Sequence, residues 1–88
     1  MTTHDLKLHQ SWFDDVASGR KNFEIRKNDR DYKVGDTLIL REWNENGYTS
    51  FAIFAEITYV LRYDNFPQGL REGYCALGIR VTDIRKIR

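Results

Sequence analysis

The sequence predicts a small α+β domain in which one helix near the N-terminus precedes a partly closed barrel of about five to six short strands. Three observations predict it. Helical periodicity occurs clearly once, over residues 10–18. Alternation of apolar and polar residues recurs in several other segments, as expected of half-buried strands. The later segments are joined by short turns that suit hairpins. With one helix and many short strands, partial closure is the natural way to remove sheet edges.

Each element has its own local reason. In residues 4–9, Leu6 and Leu8 share one face with His4, while Asp5, Lys7 and His9 share the other, which reads as a short strand. The period then changes. Trp12, Phe13, Val16 and Ala17 fall on one helical face, Ser11 is placed to cap, and Gly19 to stop the helix. Residues 22–27 alternate again, with Phe23 and Ile25 expected inward. Residues 28–31 form a polar turn, and Val34-Gly35-Asp36 a tight turn into a strand over 37–43. Asn46-Gly47 is the hairpin signal leading to a long strand over 50–62. That segment carries apolar residues in both registers, so it is expected to be central or buried on both faces for part of its length. A loop over 63–73 with room for one helical turn precedes a last strand over 74–81, which residues 83–88 extend or leave frayed.

Composition narrows the classes. The 88 residues suffice for one domain and are too few for two independent cores. Their 41% hydrophobic and 14% aromatic content suits a globular fold. A net charge of +1 excludes a polybasic chain, so any nucleic-acid contact must come from a local cluster. The single cysteine, Cys75, excludes an intramolecular disulfide framework and reads as a buried inert thiol. No apolar run approaches the ~18 residues of a membrane span, so no membrane contact is expected. Residues 1–5 are polar and lack the core of a signal peptide, which makes the cytoplasm the expected location. The six glycines lie scattered at turns, so no phosphate-cradling loop is indicated. His4 and His9 lack metal-ligand spacing, and neither a metal nor a cofactor is expected.

Chemistry concentrates at residues 19–27. Lys21, Glu24, Arg26 and Lys27 follow the helix directly. Strand parity sets Glu24 and Arg26 together on a surface or cleft, opposite Phe23 and Ile25. Parity places Lys21 on the Phe23 side, although the turn after Gly19 is able to re-aim it. Arg26 offers a planar fork for phosphate or carboxylate. Glu24 is suited to orient either cation, to accept from a base amino group, or to act as a general base. On pattern alone the alternative is a solvated face whose ion pair is worth ~0–1 kcal/mol.

The spacing Gly19-x-Lys21-x-x-Glu24-x-Arg26 resembles the G-x-K-x-x-E-x-R signature of ASCH domains, members of the PUA-like superfamily. The preceding helix, the Val34-Gly35-Asp36 turn and the blocks around residues 23–30 and 72–74 fit that resemblance, which spans nearly the whole chain as one domain. It implies a PUA-like barrel with a cleft between barrel and helix, lined by Lys21, Glu24 and Arg26, and an RNA or nucleotide-like ligand. Some small relatives of that family are amidohydrolases acting on acetylated cytidine. They resemble this chain at Gly19-Arg20-Lys21 and Arg26 but carry a threonine where this chain has Glu24, so the hydroxyl nucleophile is absent here.

Further candidates surround the motif. Lys7 is expected beside it if the first strand and the motif strand pair, and Arg30 is within reach of a phosphate. Among the aromatics Trp43, Tyr48, Tyr63 and Tyr74, Tyr74 is best placed to stack on a base. His4 reads as a capping or surface residue, and Arg80, Arg85, Lys86 and Arg88 as a basic C-terminal end. The first functional expectation is an RNA- or nucleotide-binding module using Lys21, Glu24, Arg26, Lys7, Arg30 and Tyr74. The second is an amidohydrolase of acylated nucleosides using Lys21 and Glu24. The third is a phage or host accessory domain that binds protein.

Overall fold

The computed structural model describes residues 1–87; Arg88 of the basic C-terminal end lies outside them. Strand β1 (Thr3–His9) leads into helix α1 (Gln10–Ala17), followed by β2 (Phe23–Lys27), β3 (Thr37–Asn44), β4 (Gly47–Arg62), a 3-10 turn (Tyr63–Asn65) and β5 (Tyr74–Lys86). The five strands form one sheet in the order β1-β3-β4-β5-β2. β1 runs parallel to β3, and the other pairs are antiparallel. The sheet curls into a half barrel. Its two edge strands approach each other closely enough for Arg26 Nη2 on β2 to donate to the Lys7 carbonyl on β1 at 2.5 Å. The expected α+β class and partial closure are therefore observed.

The core fills the concave side. Leu6 and Leu8 from β1, Leu38 and Leu40 from β3, Ile53 and Ile57 from β4, and Leu77 and Ile79 from β5 meet Phe13 and Val16 of α1. Two details of the helix differ from expectation. His9, not Ser11, is its N-cap: the imidazole Nδ1 accepts from Ser11 N at 3.1 Å. Trp12 stays half exposed while Phe13 is buried, because successive helical residues point about 100° apart and only one of the pair can face a narrow seam.

β4 owes its mixed pattern to an irregularity. Ile53, Ala55 and Ile57 face inward by strict alternation. Thr58 is then an extra residue opposite β5, where the register passes from Ile57↔Ile79 to Tyr59↔Gly78. Beyond it the parity inverts, so Tyr59 is exposed and Val60 packs on the core. Gly78 permits this, since a Cβ there would lie 3.0 Å from Thr58 Oγ1 and 3.2 Å from Tyr59 Cβ. β5 runs on to Lys86, five residues past its expected end.

The orientation of β2 overturns an expectation. Phe23 and Ile25 are 45% and 49% exposed, whereas Glu24 is 3% exposed. The parity is as expected, but the faces are exchanged. β2 closes the sheet at the seam with β1, so its concave side meets polar backbone and cations, and its convex side carries the apolar pair.

Cys75 is fully buried near the start of β5, and burial pushes its thiol above the ordinary value of 9.0. A disulfide-exchange reagent at pH 8 is expected to label Cys75 only at the rate of unfolding. Labelling at the rate of a free thiol would contradict the buried placement. Among the described residues no helix is long and apolar enough to cross a membrane.

Candidate functional site

The motif is assembled by the end of α1. Ser18 N donates to Asp14 O and Gly19 N to Val16 O, both at 3.0 Å. Gly19 adopts φ +83, the left-handed conformation that ends helices. Lys21 N then donates back to Asp15 O at 2.9 Å, which turns the chain and re-aims the Lys21 side chain toward the seam. Its Nζ donates to Glu24 Oε2 at 2.5 Å and to Phe23 O at 2.9 Å. Arg26 approaches the same carboxylate from the other side, with Nε at 3.2 Å and Nη2 at 3.0 Å from Oε1.

The triad is a buried carboxylate clamped between two cations that reach the surface. The side chains of Lys21 and Arg26 are 19% and 22% exposed against 4% for Glu24. In so dry a setting charge-assisted hydrogen bonds are stronger than on an open face. Glu24 is thereby committed: both its oxygens are held by cations, and little of it can meet a ligand. Among the described residues, Arg26 Nη1 and one Lys21 N–H have no partner. Lys21 and Arg26 line a cleft of about 370 Å³ at the β1–β2 seam. Leu8 adds apolar wall, and Trp12 lies along one side with its ring centroid 5.8 Å from Lys21 Nζ.

Lys7 also lines the cleft. It does so without the β1–β2 pairing that the sequence suggested, because those strands sit at opposite ends of the sheet order. Its carbonyl receives Arg26, while its ammonium lies 5.7 Å from the Trp43 ring and 5.9 Å from the Tyr48 ring. His9 borders the cleft too, its Nε2 2.8 Å from Glu45 Oε2.

Two expected residues are not brought in. Arg30 is exposed in the β2–β3 connection and does not line the cleft; its charge is felt at Asp5, whose carboxyl is lowered chiefly by its hydrogen bond from Arg41. Tyr74 pairs with Lys27 at the far end of the β2–β5 ladder, beneath the Arg71 guanidinium at 5.5 Å. It faces a different concavity, with Asn28 and Arg62. Conversely, Trp12 and His9 belong to the cleft and were not expected there. The signal for Trp12 was the Trp12-Phe13 doublet itself, since an eight-residue helix cannot bury both.

His4 is neither a cap nor a surface residue. It is buried, and its Nε2 donates to Asp36 Oδ2 at 2.9 Å. Asp36 also accepts from Thr2 N at 3.2 Å and Lys33 N at 3.1 Å, pinning the turn before β3 to the start of β1. The His4 hydrogen bond holds the Asp36 carboxyl below its ordinary value of 3.8. Among the described residues no three His, Cys, Asp or Glu side chains cluster as metal ligands would.

Fold and site together define a small α+β domain that carries a cationic cleft at the seam of a half-closed sheet. The chain belongs to the family described as Domain of unknown function (DUF3850), whose profile matches residues 3–79. It is also similar to the "Uncharacterized 12.9 kDa protein in GpA 3'region" of Escherichia phage P2. The two are 49% identical over 57 residues, which is 65% of this chain and 52% of that protein. The match thus spans about half the length of the phage relative.

Proposed function

We propose that the domain binds single-stranded RNA or a nucleotide in this cleft, as a PUA-like barrel of ASCH type acting in the cytoplasm. The observation that carries this reading is the clamp. A buried Glu24 fixes Lys21 and Arg26 at 2.5 and 3.0 Å, and both line one concavity. Two cations, Lys21 and Arg26, share one carboxylate and Lys7 lines the same cleft, so the cleft carries a net positive charge that favours an anion with several acceptors. Trp12 supplies a planar face beside it, which suits a base attached to a phosphate. Hydrolysis of an acylated nucleoside would draw on Lys21 or Glu24. The engagement of both Glu24 oxygens supports positioning and binding over proton transfer.

Titration with short single-stranded RNAs at low salt, followed by NMR, is expected to shift resonances clustered at residues 19–30. Lys21→Ala and Arg26→Ala should each weaken binding about tenfold, the size of a lost charge-assisted hydrogen bond. Loss of a phosphate contact should also lower the salt slope by about 0.7. Absence of any clustered shift defeats the reading. A protein-docking role would instead draw on the convex face, where Phe23, Ile25 and Tyr59 are exposed. Recovery of a stoichiometric protein partner without nucleic acid would select it.

A further inference from the structure

The second half of β5 has a neighbouring strand on one side only. β2 pairs with residues 74–78, and that pairing ends where Ile79 N donates to Asn22 O at 3.0 Å. Beyond this point β5 continues to Lys86 with β4 on one edge and, among the described residues, no strand on the other. The ladder fixes where each backbone group points. Ile87 N donates to Ser50 O on β4, and in an antiparallel pair the groups of alternate residues point the same way. Arg85 and Asp83, opposite Ala52 and Phe54, therefore face β4, while Lys86 and Ile84 turn their N–H and C=O groups to the open edge. In keeping with this, the Ile84 N–H is taken up by its own neighbour, Asp83 Oδ1, at 2.9 Å.

An open edge is a template for a further strand, and its side chains decide which strand fits. Residues 82–86 are all exposed. Ile84 lies opposite the core residue Ile53 yet is 47% exposed, and Phe51, on the same face of β4, is 43% exposed. On the other face Arg85 Nε donates to Asp83 Oδ2 at 2.5 Å. The edge is thus an apolar residue between opposite charges, Asp83-Ile84-Arg85. Such a segment complements itself. When two copies run antiparallel about Ile84, each Asp83 faces the Arg85 of the other copy.

We infer that this edge is an interface for a second copy of the chain, in which two β5 strands pair antiparallel about Ile84 and join the two sheets into one. The two Ile84 residues exchange a pair of N–H···O=C bonds, since both turn these groups to the edge. Asp83 and Arg85 of opposite copies then meet at the positions between hydrogen-bonded pairs, where side chains come closest. Charge selects the register. Centring the pair on Asp83 or on Arg85 would set like charges face to face, whereas about Ile84 Lys86 falls opposite Thr82 and meets no like charge. The contact is small. Residues 82–86 are far fewer than the ~20–30 a side of a standard interface, so the dimer is weak, dependent on concentration, and weakened by salt. None of these residues lines the cationic cleft, so the inference stands apart from the nucleic-acid reading.

The test is a concentration series of the whole chain at low salt, read by sedimentation velocity and by amide exchange in NMR. The mass is expected to rise from monomer towards dimer, with the Ile84 amide gaining protection in step. Asp83→Arg and Arg85→Asp change exposed side chains, and each alone places like charges opposite one another in the pair. Each should weaken association at least about tenfold. Mixing the two variants sets every charge against its opposite, so the mixture should form a heterodimer that neither variant forms with itself. The double variant Asp83→Arg with Arg85→Asp exchanges the charges within one chain and should restore self-association. A chain that stays monomeric throughout the series overturns the interface. So does a dimer that survives Asp83→Arg, which would use another surface, or a mixture that associates no better than its components.

Discussion

Glu24→Ala is expected to destabilise the domain by about 2–3 kcal/mol, with a fall in Tm of roughly 10–20 °C. The reasoning starts from what is left behind. Among the described residues, Glu24 is the only carboxylate bonded to either Lys21 Nζ or the Arg26 guanidinium. Removing it leaves two positive charges within one seam, each about four-fifths buried and without a counter-charge. Breaking a fully buried pair costs about 3–5 kcal/mol; the cations here keep some water, which lowers the figure. Glu24→Gln retains shape and one acceptor, and should fall about midway. Urea denaturation of the three proteins at pH 7 measures this. A Glu24→Ala protein within about 0.5 kcal/mol of the parent would mean that the triad is an ordinary solvated surface pair. The same variant separates fold from function: Lys21 and Arg26 lose their fixed geometry, so RNA binding should fall even at temperatures where the domain remains folded.

Stability should fall as the pH drops below about 4, and Asp36→Asn should flatten that loss. Asp36 has its folded-state value depressed, chiefly by the His4 hydrogen bond and then by Thr2 N and Lys33 N. The folded state therefore binds fewer protons than the unfolded chain near pH 3.8. The stabilisation is fully present above that ordinary value and is lost as the pH falls through the lower, folded value. Asp31, Glu45 and Asp83 are also lowered by their partners, but they lie exposed and contribute little. At pH 7, Asp36→Asn should cost about 1–3 kcal/mol, since its three donors are only partly satisfied by an amide. Denaturation curves at pH 7 and pH 3 for parent and variant decide the matter. Identical pH dependence in the two would place the acid sensitivity elsewhere.

Particular residues show why some of this was legible in the sequence. Leu6 and Leu8 declared β1 by alternation, and Asn46-Gly47 declared the β3–β4 hairpin, whose loop is Glu45-Asn46. Gly19 declared the end of α1 and with it the position of Lys21. These are local signals, because strand period, helix period and left-handed turns depend on neighbours in the chain. Thr58 carried no such signal. A bulge is chosen by the register of the partner strand, so the inversion at Tyr59 had to await the pairing. Trp12 and Phe13 illustrate the same limit on a helix, since the width of the seam decided which one was buried.

The charged motif divides along the same line. The sequence by itself determined that Lys21, Glu24 and Arg26 lie after a helix, with Glu24 and Arg26 on one face of a strand, because parity is a property of the backbone. It also determined a one-helix, many-stranded domain, because only one segment has helical period. Only the tertiary structure decided that this face is the inner one. β2 pairs with β5 at the end of the sheet, and curling carries that end to β1. Burial of Glu24 there is tolerable only with two cations on it, and the apolar Phe23 and Ile25 are turned outward as a consequence. Which side of a strand is inside depends on what lies across from it, and that is set by residues far away in the chain.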